Sequence, residues 1–99
     1  MRIIVTDKMA EDGIVYLREK GFEVDTKFGI SHEELLEVIE NYHAIIVRSA
    51  TKVTEEVIEK GKNLKVVGRA GNGIDNIDVN ACTKKGILVV NTPEGNIMA

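Results

Sequence analysis

The chain of 99 residues has no tryptophan, two tyrosines, two phenylalanines, one cysteine and one proline. Each scarcity removes a class of answers. The single thiol, Cys82, can close no internal disulfide and supplies no multi-cysteine metal site, so it reads as a small hydrophobe for the core. Aromatics at 4% leave little on which to stack bases, and a formal charge of -3 gives no basic field, so no nucleic-acid partner is expected. No apolar run approaches the ~20 residues that cross a bilayer, and Met1 leads straight into a β-rich segment instead of a leader peptide. The expectation is a cytoplasmic chain with no membrane partner. With Pro93 the sole proline and no Ser-rich or Pro-rich linker, the sequence reads as one domain.

What is present is a rhythm. Short runs rich in β-branched residues, at 2–6, 22–27, 44–47, 65–68 and 87–91, alternate with amphipathic stretches at 10–20, 32–42, 55–60 and 79–85. In the second of these stretches Leu35, Val38, Ile39 and Tyr42 fall on one helical face. Ser31 with Glu34 has the spacing of a capping box, and Thr54 before Glu55 and Glu56 places a cap and two acids at a helix start. Lys20-Gly21, Lys60-Gly61 and Lys85-Gly86 each put a cation in a last turn and a glycine beyond it, where a left-handed residue is expected. Strands that return after each helix run parallel, and right-handed crossovers then predict a doubly wound α/β sheet of about five strands in the order 2-1-3-4-5.

Parallel strands gather Asp7, Arg48 with Ser49, Arg69 through Gly73, and Asn91 through Asn96 at the carboxyl edge of the sheet, where ligands of open α/β sheets bind. Two guanidinium groups, a hydroxyl and the main-chain N–H groups of Gly71-Asn72-Gly73 form a plausible receptor for a small anion. A structural reading stands beside it. Arg69 can pair with Asp75 or Asp78 to order the turn, Arg48 can extend into solvent, and Asp7 can brace the neighbouring loop. His32 and His43 have no carboxylate or serine at triad spacing. As a nucleotide motif, Gly71-Asn72-Gly73-Ile74-Asp75-Asn76 matches G-x-G-x-x but carries Asn76 where a third glycine or alanine belongs, and there is no P-loop.

Three blocks carry a wider likeness: Val47-Arg48-Ser49-Ala50-Thr51-Lys52-Val53-Thr54, Gly68-Arg69-Ala70-Gly71-Asn72-Gly73-Ile74-Asp75-Asn76-Ile77-Asp78, and Gly86-Ile87-Leu88-Val89-Val90-Asn91-Thr92-Pro93-Glu94-Gly95-Asn96. In this order and spacing they resemble the D-2-hydroxyacid dehydrogenase family. The resemblance implies a flavodoxin-like substrate-binding domain over residues 1–99, with the nucleotide-binding domain lying outside the chain; the start of a helix at Asn96 fits such a cut. It further implies that Asn72 and Gly73 hold the substrate carboxylate, that Arg48, Ser49 and Arg69 meet acid and phosphate groups, and that Asn96 faces the interdomain cleft. By the same resemblance Asn72 is expected to approach the nicotinamide of NAD as well, the cofactor being bound mainly by the nucleotide-binding domain. The implied reaction passes hydride between NAD and C2 of a small anionic 2-hydroxy acid, 3-phosphoglycerate first among them, to give 3-phosphohydroxypyruvate for serine synthesis by a homo-oligomeric enzyme. The family's catalytic histidine, glutamate and arginine fall in the other domain, so no catalytic residue is expected here. A return segment from further along would complete this domain's surface, leaving an apolar patch on residues 1–99 alone. The competing reading is a standalone, non-catalytic domain that binds an anionic metabolite or docks a partner.

Overall fold

Runs that are apolar on both faces become parallel strands, because only a sheet covered on both sides buries every residue of such a run. The computed structural model describes residues 1–71 and 75–92. Along the chain the elements are β1 (Arg2–Val5), α1 (Glu11–Glu19), β2 (Glu23–Thr26), α2 (His32–Val38), a 3-10 turn (Ile39–Asn41), β3 (Ala44–Val47), α3 (Glu55–Lys60), β4 (Val66–Ala70), α4 (Val79–Lys84) and β5 (Leu88–Thr92). The strands pair in the order β2-β1-β3-β4-β5, all parallel, as the alternating rhythm predicts.

Successive residues of each central strand feed opposite faces. Ile4, Ile45, Val47 and Val67 point to one side, where Leu35, Ile39, Val57, Ile58, Ala81 and Cys82 from α2, the 3-10 turn, α3 and α4 cover them. Ile3, Val5, Ala44 and Ile46 point to the other, where Ile14 and Leu17 of α1 cover them. Full burial of such side chains stabilises by roughly 1.5–3 kcal/mol each. The second face is covered only in part. Leu88 and Val90 on β5 are 61% and 37% exposed. An apolar cavity of about 680 Å³ opens beside α1, lined by Ile3, Leu17, Ala44, Ile46, Val66 and Val90 among others.

Several boundaries differ from the sequence reading. The helix expected over 32–42 ends at Val38 and tightens into the 3-10 turn, which still delivers Ile39 and Tyr42 to the core. The fourth strand runs on to Ala70, since Arg69 and Ala70 continue the ladder with Asn91 and Thr92 of β5. Ser31 and Thr54 cap their helices as expected, accepting from Glu34 N and Val57 N. Gly21 and Gly86 take the left-handed conformation, but Gly61 does not: its φ is -81°. Space explains that glycine, because a Cβ there would lie 3.1 Å from Leu64 Cβ.

A polar clamp joins β2 to the segment before β3. Tyr42 Oη donates to Asp25 Oδ2 at 2.5 Å, Arg2 Nη2 donates to the same oxygen at 3.1 Å, and the Arg2 guanidinium lies 4.8 Å from the Tyr42 ring centre. Burial first, then the bond to Asp25, pushes the Tyr42 hydroxyl up to about 12. The Tyr42 bond first, and Arg2 after it, hold Asp25 below the usual carboxylate range. Tyr42→Phe is expected to cost about 1–2 kcal/mol at neutral pH. Asp25 is shifted down, so its share of this stability is present above the unfolded value of ~3.9 and fades as pH falls through its lowered folded range. Tyr42 is shifted up, so its share is whole below the unfolded value of ~10. It is lost as pH rises through about 12. Urea unfolding of both proteins across pH measures the gap; one that narrows at neither extreme contradicts this origin.

Candidate anion-binding site

The strand order itself makes a crevice. From β1 the chain leaves through α1 to one face, and from β3 it leaves through α3 to the other, so the adjacent carboxyl ends of β1 and β3 have no connection passing over them. Asp7 and Lys8 follow β1, Arg48, Ser49 and Ala50 follow β3, and Arg69 and Ala70 end β4. Together with Gly71, whose φ of 142° opens the glycine-rich turn, they line a crevice of about 260 Å³. Arg48, Ser49 and Arg69, singled out from the sequence, are thus brought to one place. The larger cavity beside α1 is apolar and shares only Arg69 with this crevice, so volume alone is a poor guide to the chemistry here.

Arg48 and Ser49 are exposed at the rim, but the main chain beneath them is fixed. Asp7, 6% exposed, accepts from Arg48 N at 2.8 Å and Thr51 N at 2.9 Å through Oδ2, and from Thr51 Oγ1 at 2.6 Å through Oδ1. This is the bracing role open to Asp7 in the sequence reading. A buried carboxylate satisfied by three donors is a strong tie because each bond is charge-assisted. The Arg48 guanidinium leans back toward β1, its Nη1 donating to the Lys8 carbonyl at 3.3 Å, a long bond that leaves the group near the crevice instead of out in solvent.

Arg69 is the deeper cation. Its side chain is 10% exposed, whereas that of its partner Asp75 is 91% exposed, with Nη1 and Oδ1 2.7 Å apart. The hydrogen bond from Arg69 holds the Asp75 carboxyl below its ordinary range. Asp75, and not Asp78, is therefore the acid that orders this arginine; Asp78 accepts from Ala81 N at 3.0 Å and caps α4. A pair whose acid end stands in water is worth little, so an incoming anion competes with Asp75 on fair terms. Asn72, Gly73 and Asn96 lie outside the described residues. Neither histidine lines the crevice: His32 Nε2 lies 3.1 Å from Glu56 Oε1, tying α2 to α3, and His43 Nδ1 accepts from Arg2 N.

The glycine-rich segment is not a complete dinucleotide cradle. Such a cradle needs a small third residue packed where a helix begins and a free helix N-terminus for the pyrophosphate. Here Asn76 fills that third place with a buried side chain, and α4 is short with its first turn capped by its own Asp78. Asn76 is also the residue that sequence reasoning missed. It registered only as the flaw in a motif, yet its Nδ2 donates to the carbonyls of Arg48 at 2.6 Å and Thr51 at 2.7 Å. Bonds to main chain across such distances in sequence leave no periodic signal. Among the described residues no group of three or more metal-ligating side chains is found, and no helix is long and apolar enough to cross a membrane.

A doubly wound parallel sheet with a cation-lined crevice at its switch point defines the class. Residues 3–99 match the D-isomer specific 2-hydroxyacid dehydrogenase catalytic domain, and the chain belongs to that family. It is 52% identical over 99 residues to a D-3-phosphoglycerate dehydrogenase of Archaeoglobus fulgidus, covering all of this chain and 19% of the relative. A D-3-phosphoglycerate dehydrogenase of Methanocaldococcus jannaschii is 54% identical over 96 residues, or 97% of this chain and 18% of the relative. The chain thus spans about a fifth of the length of these curated relatives. Among solved structures, the NAD+-bound 3-phosphoglycerate dehydrogenase of Entamoeba histolytica superposes with a TM-score of 0.79 at 39% identity, over 94% of this chain and 33% of that one.

Proposed function

We propose that this chain is the substrate-binding part of a cytoplasmic, homo-oligomeric, NAD-dependent oxidoreductase that oxidises 3-phosphoglycerate to 3-phosphohydroxypyruvate for serine biosynthesis. The observation that carries the reading is the convergence of Arg48, Ser49 and Arg69 on one crevice. Two guanidinium groups suit an acid with an anion at each end, because each grips a carboxylate or phosphate in a bidentate fork. In this reading Arg48, Ser49 and Arg69 take the acid and phosphate groups, the amides of Asn72 and Gly73 take the carboxylate, and Asn96 faces the cleft to the nucleotide domain. The remaining length of the relatives supplies the dinucleotide site and the proton-transferring groups, and Asn72 alone reaches the nicotinamide from this side.

Steady-state assays of the complete protein carrying these residues, following NADH formation, test the reading. Oxidation of 3-phosphoglycerate in clear preference to D-lactate and glycerate is expected; a folded protein that oxidises only unphosphorylated acids, or none, contradicts it. Residues 1–99 alone are expected to reduce no NAD. In calorimetry they should bind 3-phosphoglycerate weakly and NAD negligibly, and measurable affinity for NAD would transfer the cofactor site to this domain.

A further inference from the structure

The two halves of the crevice are held in register by a staple that neither half contains by itself. The loop after β3 carries Arg48 and Ser49, and the segment entered through the glycine-rich turn carries Asn76. Asn76 is 7% exposed, and its amide nitrogen donates to Arg48 O at 2.6 Å and Thr51 O at 2.7 Å. From the opposite side the Asp7 carboxylate accepts from the N–H groups of the same two residues. Donors of the loop therefore go to a carboxylate and acceptors to an amide nitrogen, each partner matched in sign. Main-chain bonds extend the seam: Val53 N donates to Asn76 O and Asp78 N to Val53 O, both at 2.9 Å, around the parallel bridge between Val53 and Ile77.

The consequence is a division of labour within four residues. The N–H and C=O of both Arg48 and Thr51 are consumed by this network, while the side chains of Arg48 and Ser49 remain exposed at the crevice. Fixing the backbone and leaving only the ligand-facing groups to adjust lowers the ordering cost of binding. Asn76 thus ties the loop bearing Arg48 to the segment that leads into α4.

We propose that Asn76, acting with Asp7, is a positioning residue for acid binding: it fixes the main chain of the loop that presents Arg48 and Ser49 to the crevice. This rests on the reading that the crevice binds the acid substrate. The discriminating variant in the complete protein is Asn76→Asp, which keeps the shape but aims an anion at two carbonyl oxygens. Its KM for 3-phosphoglycerate is expected to rise about tenfold or more, with kcat and the KM for NAD within about threefold of the parent. In an Arg48→Ala background, Asn76→Ala is expected to add less than about threefold, because the residue acts through a group already gone. A full, independent effect in that background, or parallel changes in kcat and in both KM values, overturns the proposal. Should Asn76→Asp fail to fold, Asn76→Ser removes the amide nitrogen that reaches the Arg48 and Thr51 carbonyls; it is expected to raise the same KM about threefold or more, and no change overturns the proposal equally. If Arg48→Ala itself leaves KM unchanged, the site assignment fails. If Arg48→Ala raises KM and the Asn76 variants do not, the staple alone fails.

Discussion

Arg48→Ala in the complete protein is expected to raise the KM for the proposed substrate, 3-phosphoglycerate, roughly tenfold to a hundredfold and to leave the melting temperature unchanged. The size follows from a hydrogen bond to a charged group, worth about 1.5–3 kcal/mol, or one to two decades of affinity. The unchanged melting temperature follows from the geometry: the anchoring of this residue runs through its main chain, to Asp7 and Asn76, and alanine keeps both bonds. Its side chain gives up only the long contact to Lys8 O. Steady-state kinetics paired with thermal melts separate the two effects. A melting temperature that drops while KM stays level would reassign Arg48 from binding to folding.

Asp7→Ala acts the other way, on stability above all. The substitution strands Arg48 N, Thr51 N and Thr51 Oγ1 at once. Each lost partner costs about 1–3 kcal/mol where the donor is shielded, less where water reaches it, so a total of about 2–4 kcal/mol is expected. For a domain of this size that lowers the melting temperature by roughly 10 °C or more. Asp7→Asn is expected to cost less, since its amide oxygen can accept from Arg48 N and Thr51 N while its Nδ2 donates to Thr51 Oγ1, whose hydroxyl can accept, and only the charge of these bonds is lost. A loss under about 1 kcal/mol for Asp7→Ala in urea unfolding shows that water replaces the carboxylate and that the loop needs no brace.

The topology was legible because it rests on period and punctuation. Alternation of Ile3-Ile4-Val5 and Ala44-Ile45-Ile46-Val47 with capped amphipathic stretches forces parallel strands, and parallel strands place Arg48, Ser49 and Arg69 at one edge. Family likeness added the family itself, and the match over residues 3–99 and the shared fold bear that out. The boundary errors fall where tertiary pairing overrides local signal: β4 runs past Gly68 to Ala70 because β3 pairs with it to Arg69 and β5 to Ala70, and Gly61 serves close packing with Leu64 instead of a left-handed turn. The polar network was the least legible. Tyr42 with Asp25, and Asn76 with Arg48, are bonds between groups distant in sequence, chosen by where the sheet puts them and not by any repeat.

The most direct measurement is a crystal structure of the complete protein with 3-phosphoglycerate bound. The ligand is expected in the crevice beyond β1, β3 and β4, its two anionic ends shared between the guanidinium groups of Arg48 and Arg69, with Asp75 displaced from or sharing Arg69. Ligand bound elsewhere, with Arg69 still closed on Asp75 and Arg48 on Lys8 and neither touching it, would contradict it.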